Sequence, residues 1–217
     1  QIQNVQKNMI KLTIDAKNIS KFDSELFLFD GDEVYISIRE FAELVGYKGY
    51  NGDYTSEGLT KGYIQNDYEE ASYSLNSNKL YKKLLSTNDN EYYTMQNPVK
   101  IQNNKLYMSL DGVQTATNSS ITYNASNKQF IIYTLPYLVS YYSQQFPDTD
   151  LSENNADFSN KKALLYGMVV VRTLNAEGKP TGNYGVKNIN GNEIIGNSFK
   201  EDYHLWYQQV ISETARP

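Results

Sequence analysis

One segment of this chain occurs twice. Phe27–Gly46 aligns without a gap with Val99–Asn118, so that Tyr35 corresponds to Tyr107. In each copy an apolar strand, a polar turn and a second strand are followed by a short helix. Repeated units of this kind bury apolar surface against each other and form a common core. The repeat therefore predicts an α+β fold in which duplicated strand–turn–strand–helix units wrap an antiparallel sheet around short helices.

The first copy carries the clearest helix signal in the chain. Ser37 and Glu40 have the spacing of a capping box, in which the Ser37 hydroxyl accepts a hydrogen bond from the Glu40 amide. Apolar residues follow at spacings of three and four, and Gly46 is suited to the left-handed conformation that ends many helices. In the second copy, Ser109 is predicted to start a poorer helix that ends near Asn118.

The chain is predicted to have three parts. These are a duplicated α+β domain (residues 9–141), a polar connector (142–163) and a small β unit with a C-terminal helix (164–217). Within the first part, the glycine-rich segment Tyr47–Gly62 predicts a long loop, and Tyr81–Leu85 predicts a short helix.

The third part is predicted to be a hairpin followed by a helix. Its arms are Leu164–Leu174 and Tyr184–Ile189, and an Asn-Gly turn at position 190 leads into a further strand. Phe199–Ile211 predicts a closing helix, which contains His204, the single histidine of the chain.

Charge and composition argue against several classes of function. The net charge is −5, and the 25 acidic and 20 basic residues are spread along the chain without a basic stripe, which disfavours nucleic-acid binding. The longest apolar run, Leu164–Val171, is interrupted by Gly167 and is too short to span a bilayer. Without cysteine there is no disulfide, thiolate nucleophile or cysteine metal site. The chain starts at Gln1, which indicates a processed or trimmed product and leaves open whether a signal peptide was removed.

Tyr35–Gly46 reads YISIREFAELVG. This resembles the pattern [YM]-x-[SP]-[IL]-R-x-[FI]-A-[EQ]-x-[LV]-G of the copper amine oxidase N-terminal-like domain, also called the stalk domain. Ser37 stands where the family usually has Pro, and both residues suit the first turn of a helix. The second copy, Leu106–Asn118, keeps the Ser-Leu start but lacks the Arg and the Gly. The resemblance covers Met9–Tyr141 and implies a small α+β domain of secreted or surface proteins of Gram-positive bacteria, used as a spacer or attachment module.

The resemblance does not imply copper binding. In the oxidases, the metal and cofactor belong to a different and larger domain, whose chemistry needs three histidine ligands and a modified tyrosine. Imidazole is the commonest copper ligand, and this chain has only His204. We therefore predict no metal, no cofactor and no catalytic residue.

A shorter resemblance lies near the C-terminus. Tyr184–Val186, followed by Asn190–Ile195, resembles one WG-type β repeat with Tyr in place of Trp. Such repeats occur in arrays because a single unit cannot bury its own apolar face. A single copy leaves three interpretations open: a truncated array, a strand addition to the first domain, or an ordinary Asn-Gly hairpin.

The candidate binding residues are four tyrosines in and next to the glycine-rich segment, namely Tyr47, Tyr50, Tyr54 and Tyr63. Exposed rings beside flexible glycines form adaptable recognition surfaces, so this group predicts a stacking platform for a sugar or a polymer strand. The alternative is that the rings lie over the first helix as a lid. The segment lacks the glycine spacing of a phosphate-binding loop.

Together these features predict a non-enzymatic structural and binding module of a secreted or cell-surface protein. It would act as a rigid spacer that attaches to a protein or to a cell-wall glycan. Two alternatives stay open. One is a structural component of a larger particle, such as a phage tail of a virion or a surface filament, completed by neighbouring subunits. The other is an accessory domain of a cell-wall hydrolase.

Overall fold

The computed structural model describes residues 10–145, 149–150, 168–188 and 193–199. The chain divides into two compact units, Gln1–Ile132 and Tyr133–Pro217. The described residues are mostly strands with a few short helices, so the expected α+β class is confirmed in this general sense. The finer division at residues 141 and 163 stays a prediction.

The helices are short and follow strands directly. Among the residues that the structure describes, they are α1 (Ile38–Leu44), α2 (Leu110–Thr117) and α3 (Leu135–Gln145). The strands that precede α3 are β1 (Lys11–Ile14), β2 (Lys17–Asn18), β3 (Phe27–Asp30), β4 (Glu33–Ser37), β5 (Lys48–Asn51), β6 (Tyr54–Thr55), β7 (Gly58–Leu59), β8 (Lys61–Gln65), β9 (Glu69–Ser74), β10 (Lys79–Leu84), β11 (Asn90–Thr94), β12 (Lys100–Gln102), β13 (Lys105–Ser109), β14 (Ser119–Asn124) and β15 (Gln129–Thr134). The strands after α3 are β16 (Thr149–Asp150), β17 (Met168–Leu174), β18 (Pro180–Asn188) and β19 (Glu193–Phe199).

Three larger sheets are built from the strands that precede α3. Their strand orders are β14-β15-β1-β2, β11-β10-β9-β8-β5 and β12-β13-β4-β3. The five-stranded sheet is antiparallel throughout, whereas β1 pairs with β15 in parallel. The core of this unit is aromatic on one side, where Phe130 is fully buried and stacks on Phe27 at 4.0 Å between ring centroids and on Tyr123 at 4.5 Å.

The two copies of the repeated sequence meet in the middle of one sheet. Each copy forms a hairpin followed by a helix, β3-β4-α1 and β12-β13-α2, and the hairpins join through antiparallel pairing of β4 with β13. The register pairs Tyr35 with Ser109, Ile36 with Met108, and Ser37 with Tyr107. Since Tyr35 corresponds to Tyr107 and Ser37 to Ser109 in the alignment, the pairing is symmetric about the contact of Ile36 with Met108. Both tyrosines are 1% exposed.

The helices start at the predicted serines, but the capping differs from the prediction. Ser37 makes no side-chain bond to the helix backbone, and its hydroxyl donates instead to the Glu40 carboxylate. Ser109 likewise donates to Asp111, at 2.6 Å. The predicted bond from the Glu40 amide is therefore wrong, because the hydroxyl is engaged by a carboxylate of the first turn. The C-terminal ends of the two helices agree with the prediction, since φ is positive at Gly46 (87°) and at Asn118 (47°).

The prediction of a long loop at Tyr47–Gly62 is wrong. The segment contains β5, β6 and β7 and the start of β8. Its glycines permit close packing: a Cβ at Gly49 would lie 2.6 Å from Arg39 Cγ and 2.7 Å from the Arg39 carbonyl oxygen, and one at Gly62 would lie 2.6 Å from Tyr73 Oη. Because Gly49 has no side chain, β5 can lie against α1. Because Gly62 has none, β8 can lie against the buried ring of Tyr73.

The predicted helix at Tyr81–Leu85 is also wrong, since β10 pairs with β9 on one side and β11 on the other. The predicted hairpin near the C-terminus is found within the described residues, where β17 pairs antiparallel with β18. The Asn-Gly turn at 190–191 and most of the predicted closing helix, with His204, lie outside the described residues. Phe199 is the last residue of β19 rather than the first of a helix.

Replacing Gly49 with alanine tests the close approach of β5 to α1. We expect Gly49→Ala to lower the free energy of unfolding by about 1–3 kcal/mol, because the new methyl group meets helix backbone that cannot move independently. Urea unfolding followed by circular dichroism measures this. Gly52→Ala is the control, because its nearest neighbour atom is at 3.2 Å and the cost is smaller. Equal losses for the two variants would contradict the interpretation.

Candidate binding face

One face of the five-stranded sheet carries a row of aromatic residues. In antiparallel sheets, directly opposite residues project from the same face. The strand registers place Tyr50, Tyr63, Ser72, Tyr81 and Tyr92 opposite one another, in this order, across β5, β8, β9, β10 and β11. We call these five residues the tyrosine row.

The tyrosine row points away from the protein core. The residues that alternate with it along the strands are buried, among them Ile64, Ala71 and Leu80, none more than 1% exposed. In contrast, Tyr50 is 39% and Tyr92 72% exposed. The rings are therefore held on paired strands whose other face is fixed by core packing, which gives a rigid aromatic surface in contact with solvent.

The four rings form two pairs with a gap between them. The centroids of Tyr50 and Tyr63 are 4.8 Å apart with nearly parallel planes (18°), and those of Tyr81 and Tyr92 are 4.8 Å apart at 61°. Ser72 separates the pairs, and the two strand spacings that flank it amount to about 9.6 Å. The small serine leaves a cleft of about 480 Å³, lined by three of these tyrosines as well as by Ser72.

Polar residues border the row. Lys61 and Asp53, which both line the cleft, form an ion pair at 3.3 Å with both side chains more than half exposed. On the other side of the row, Glu70 lies opposite Lys83. Partial burial, followed by the neighbouring Tyr92 and Glu70, raises the pKa of Tyr81, which keeps this phenol protonated and able to donate a hydrogen bond.

Directly behind the row, the opposite face of the sheet contains a buried polar cluster of Tyr47, Glu69, Lys82 and Asn118. All four side chains are less than 10% exposed. Lys82 Nζ donates to the Thr115 carbonyl at 2.7 Å and to Asn118 Oδ1 at 2.8 Å, and it lies 3.8 Å from Glu69 Oε1. The cluster joins β9 and β10 to the end of α2.

Tyr47 completes this cluster and is not part of a surface. Its hydroxyl donates to Glu69 Oε1 at 2.6 Å and accepts from Asn118 Nδ2 at 3.0 Å. Burial, and secondarily the Glu69 carboxylate, raises the pKa of Tyr47 well above its usual value. The cluster is satisfied by hydrogen bonds and is buried, so it serves to fix the sheet against α2 rather than to meet a ligand.

The four tyrosines predicted as a binding platform have different surroundings. Tyr50 and Tyr63 are neighbours in the tyrosine row. Tyr54 is 57% exposed but lies on β6, where it accepts a hydrogen bond from Asn51 Nδ2 at 2.8 Å. Including Tyr47 in an exposed platform was wrong, because this ring is buried against Glu69.

Sequence reasoning missed Tyr81 and Tyr92 as members of the row. The segment of β10 reads KLYKKL, in which Leu80 and Lys82 alternate with Tyr81 and Lys83. Because Lys82 is charged although it faces the core, this segment lacks the alternation of apolar and polar residues by which a strand is recognised in a sequence. The sequence instead predicts a short helix at Tyr81–Leu85, which places Tyr81 on no sheet face.

A protein-family model described as the copper amine oxidase N-terminal domain matches residues 13–132, more than half of the chain. The chain belongs to this family. The match confirms the resemblance to the stalk domain, whereas the resemblance to a WG-type repeat stays a prediction. The match ends at Ile132, where the first compact unit also ends. The copper amine oxidase N-terminal domain is a non-catalytic accessory part of those enzymes. Searches of curated proteins and of solved structures found no match.

Among the residues that the structure describes, no three His, Cys, Asp or Glu side chains lie close enough together to hold an ion. The only histidine, His204, lies outside those residues. Within the described ranges, no helix is both long and apolar enough to cross a membrane.

Proposed function

We propose that this protein is a non-enzymatic structural and attachment module of a secreted or cell-surface protein. The unit that contains the family match is the rigid spacer, and the tyrosine row is its attachment surface toward a protein or cell-wall glycan partner. The observation that carries the proposal is the row itself. Aromatic rings exposed to solvent on a rigid support provide contact area at low entropic cost.

Rigidity is supported from the core side of the sheet. Behind the row, the cluster of Tyr47, Glu69, Lys82 and Asn118 holds β9 and β10 against α2. The paired hairpins of the two repeat copies, which we propose to be a fused duplication, supply a second fixed layer. Binding to such a surface requires little rearrangement, since the rings are already positioned.

Retention on isolated Gram-positive cell walls tests this function. We expect the purified chain to bind the walls without releasing soluble sugar or peptide, and Tyr63→Ala/Tyr81→Ala to reduce the bound fraction at least tenfold. Tyr54→Ala is the control, because it removes a tyrosine ring that is more exposed than Tyr63 or Tyr81 but lies outside the row. Retention that is unchanged in the double variant, or product release that a point substitution abolishes, would contradict the proposal.

A further inference from the structure

We propose that the tyrosine row binds an anionic polysaccharide, a glycan chain that carries carboxylate or phosphate groups. This inference rests on the proposed function and specifies its ligand. It is argued from the charges that flank the row, from the chemistry of the row and from its geometry.

The face that carries the row is basic although the protein is acidic. Opposite-residue registers place two flanking rows on this same face, one on each side of the tyrosine row. Together with the cleft margin they contain four lysines and two acidic residues, namely Lys48, Lys61, Lys79, Lys83, Asp53 and Glu70. The whole chain has a net charge of −5. An excess of positive charge concentrated here is complementary to an anionic ligand.

The row itself has the mixed chemistry that a sugar ring requires. A sugar presents apolar C–H faces and polar hydroxyl edges, and a tyrosine presents an apolar ring with a polar tip. Between the two ring pairs, Ser72 contributes a hydroxyl to the floor of the cleft, and Ser74 contributes another beside it. A peptide strand would instead pair with a free sheet edge, whereas the row crosses the middle of a sheet.

The dimensions favour a polymer over a single sugar. The row crosses five strands, so its outer members are about 19 Å apart. Lysines lie on both sides of this line, two on each, which suits charges that recur along a chain. A single-stranded nucleic acid also combines charge with stacking, but its affinity depends on neutralising many phosphates. Four lysines partly offset by two carboxylates on an acidic protein do not meet that requirement.

Titration calorimetry with defined polymers tests the inference. The probes are polygalacturonate, which carries carboxylates, a poly(ribitol phosphate) teichoic acid, the neutral glucan dextran, and an oligo-dT. We expect one of the two anionic glycans to bind at least tenfold more tightly than dextran and oligo-dT, with affinity that falls as salt increases. The two anionic probes distinguish carboxylate from phosphate recognition.

Two variants separate charge from stacking. Lys79→Gln/Lys83→Gln, both on β10, should weaken binding at least tenfold and flatten the salt dependence. Tyr63→Ala/Tyr81→Ala should remove binding at any salt concentration. Lys17→Gln is the control, since it removes an exposed lysine on the short strand β2 of another sheet. Circular dichroism verifies that each variant is folded.

The outcomes also separate this inference from the proposed function. Equal affinity for dextran, or comparable affinity for oligo-dT, overturns the anionic-glycan inference. The anionic-glycan inference also fails if none of the polymers binds while cell walls still retain the chain through the tyrosine row. That result would indicate a protein of the wall as the partner, and the proposed function would remain valid. If neither walls nor polymers bind, both fail.

Discussion

Lys82→Met is expected to lower the free energy of unfolding by about 3–5 kcal/mol. The Lys82 side chain is 3% exposed, and its ammonium donates to Thr115 and Asn118 and lies 3.8 Å from the Glu69 carboxylate. Removing it deprives a buried carboxylate of this cation and the end of α2 of two hydrogen bonds. A buried carboxylate without a nearby cation is destabilising, because water cannot solvate its charge in the protein interior. Urea unfolding followed by circular dichroism measures the loss.

Lys61→Met is the matched control for this prediction. It breaks the ion pair with Asp53, whose 3.3 Å distance is shorter than that of Lys82 to Glu69, but both side chains are exposed. Exposed pairs contribute about 0–1 kcal/mol. Burial rather than distance should therefore determine the difference. Similar losses for Lys61→Met and Lys82→Met would show that the buried cluster does not support the sheet.

A double-mutant cycle can isolate the contact of Lys82 with Glu69. Glu69→Gln removes the charge and keeps an oxygen that Tyr47 can donate to. In the combined Glu69→Gln/Lys82→Met variant, the loss should be smaller than the sum of the single losses, because neither charge remains unpaired. Additive losses would mean that Lys82 acts only through Thr115 and Asn118.

Phe130→Ala is expected to cost about 3–5 kcal/mol of the free energy of unfolding. Phe130 is 0% exposed and stacks between Phe27 and Tyr123. Truncation leaves a cavity whose walls belong to strands of two different sheets, β3 and β14, so relaxation can fill it only in part. Urea unfolding measures this loss in the same way.

The control for Phe130→Ala is Phe29→Ala. Phe29 is also a phenylalanine close to Phe130, with 6.5 Å between the two ring centroids, but it is 42% exposed. Its truncation removes less buried surface and leaves an opening to solvent in place of a closed cavity, so the loss should be less than half as large. If Phe29→Ala lowered the free energy of unfolding as much as Phe130→Ala does, the burial of Phe130 would not account for its contribution to stability.

Sequence patterns predicted the elements that are determined by residues close together in the chain. The helix α1 follows from apolar spacing and from Gly46, which has the expected positive φ. The strands β5 to β7 could not be predicted in this way. Glycine is a turn signal in a sequence, but at Gly49 its role is to admit Arg39 of α1, and that contact exists only once the chain is folded.

The site was less predictable than the fold. A charged residue such as Lys82 is assigned to the surface by default, and its partners Thr115 and Asn118 are far along the chain. Tyr50 and Tyr63 could be singled out because they are close in sequence. Tyr92 joins them only through the registers of four successive strand pairs, which single-sequence patterns do not specify.

The symmetric pairing of β4 with β13 limits how far this architecture can grow. Each of the two strands pairs through the equivalent edge, as two subunits do in an isologous dimer, so the pairing uses both of these edges. A third hairpin-and-helix unit would find the equivalent edge already occupied. Extension into a longer stalk therefore requires whole modules joined end to end, each containing two halves, and not the stepwise addition of single units.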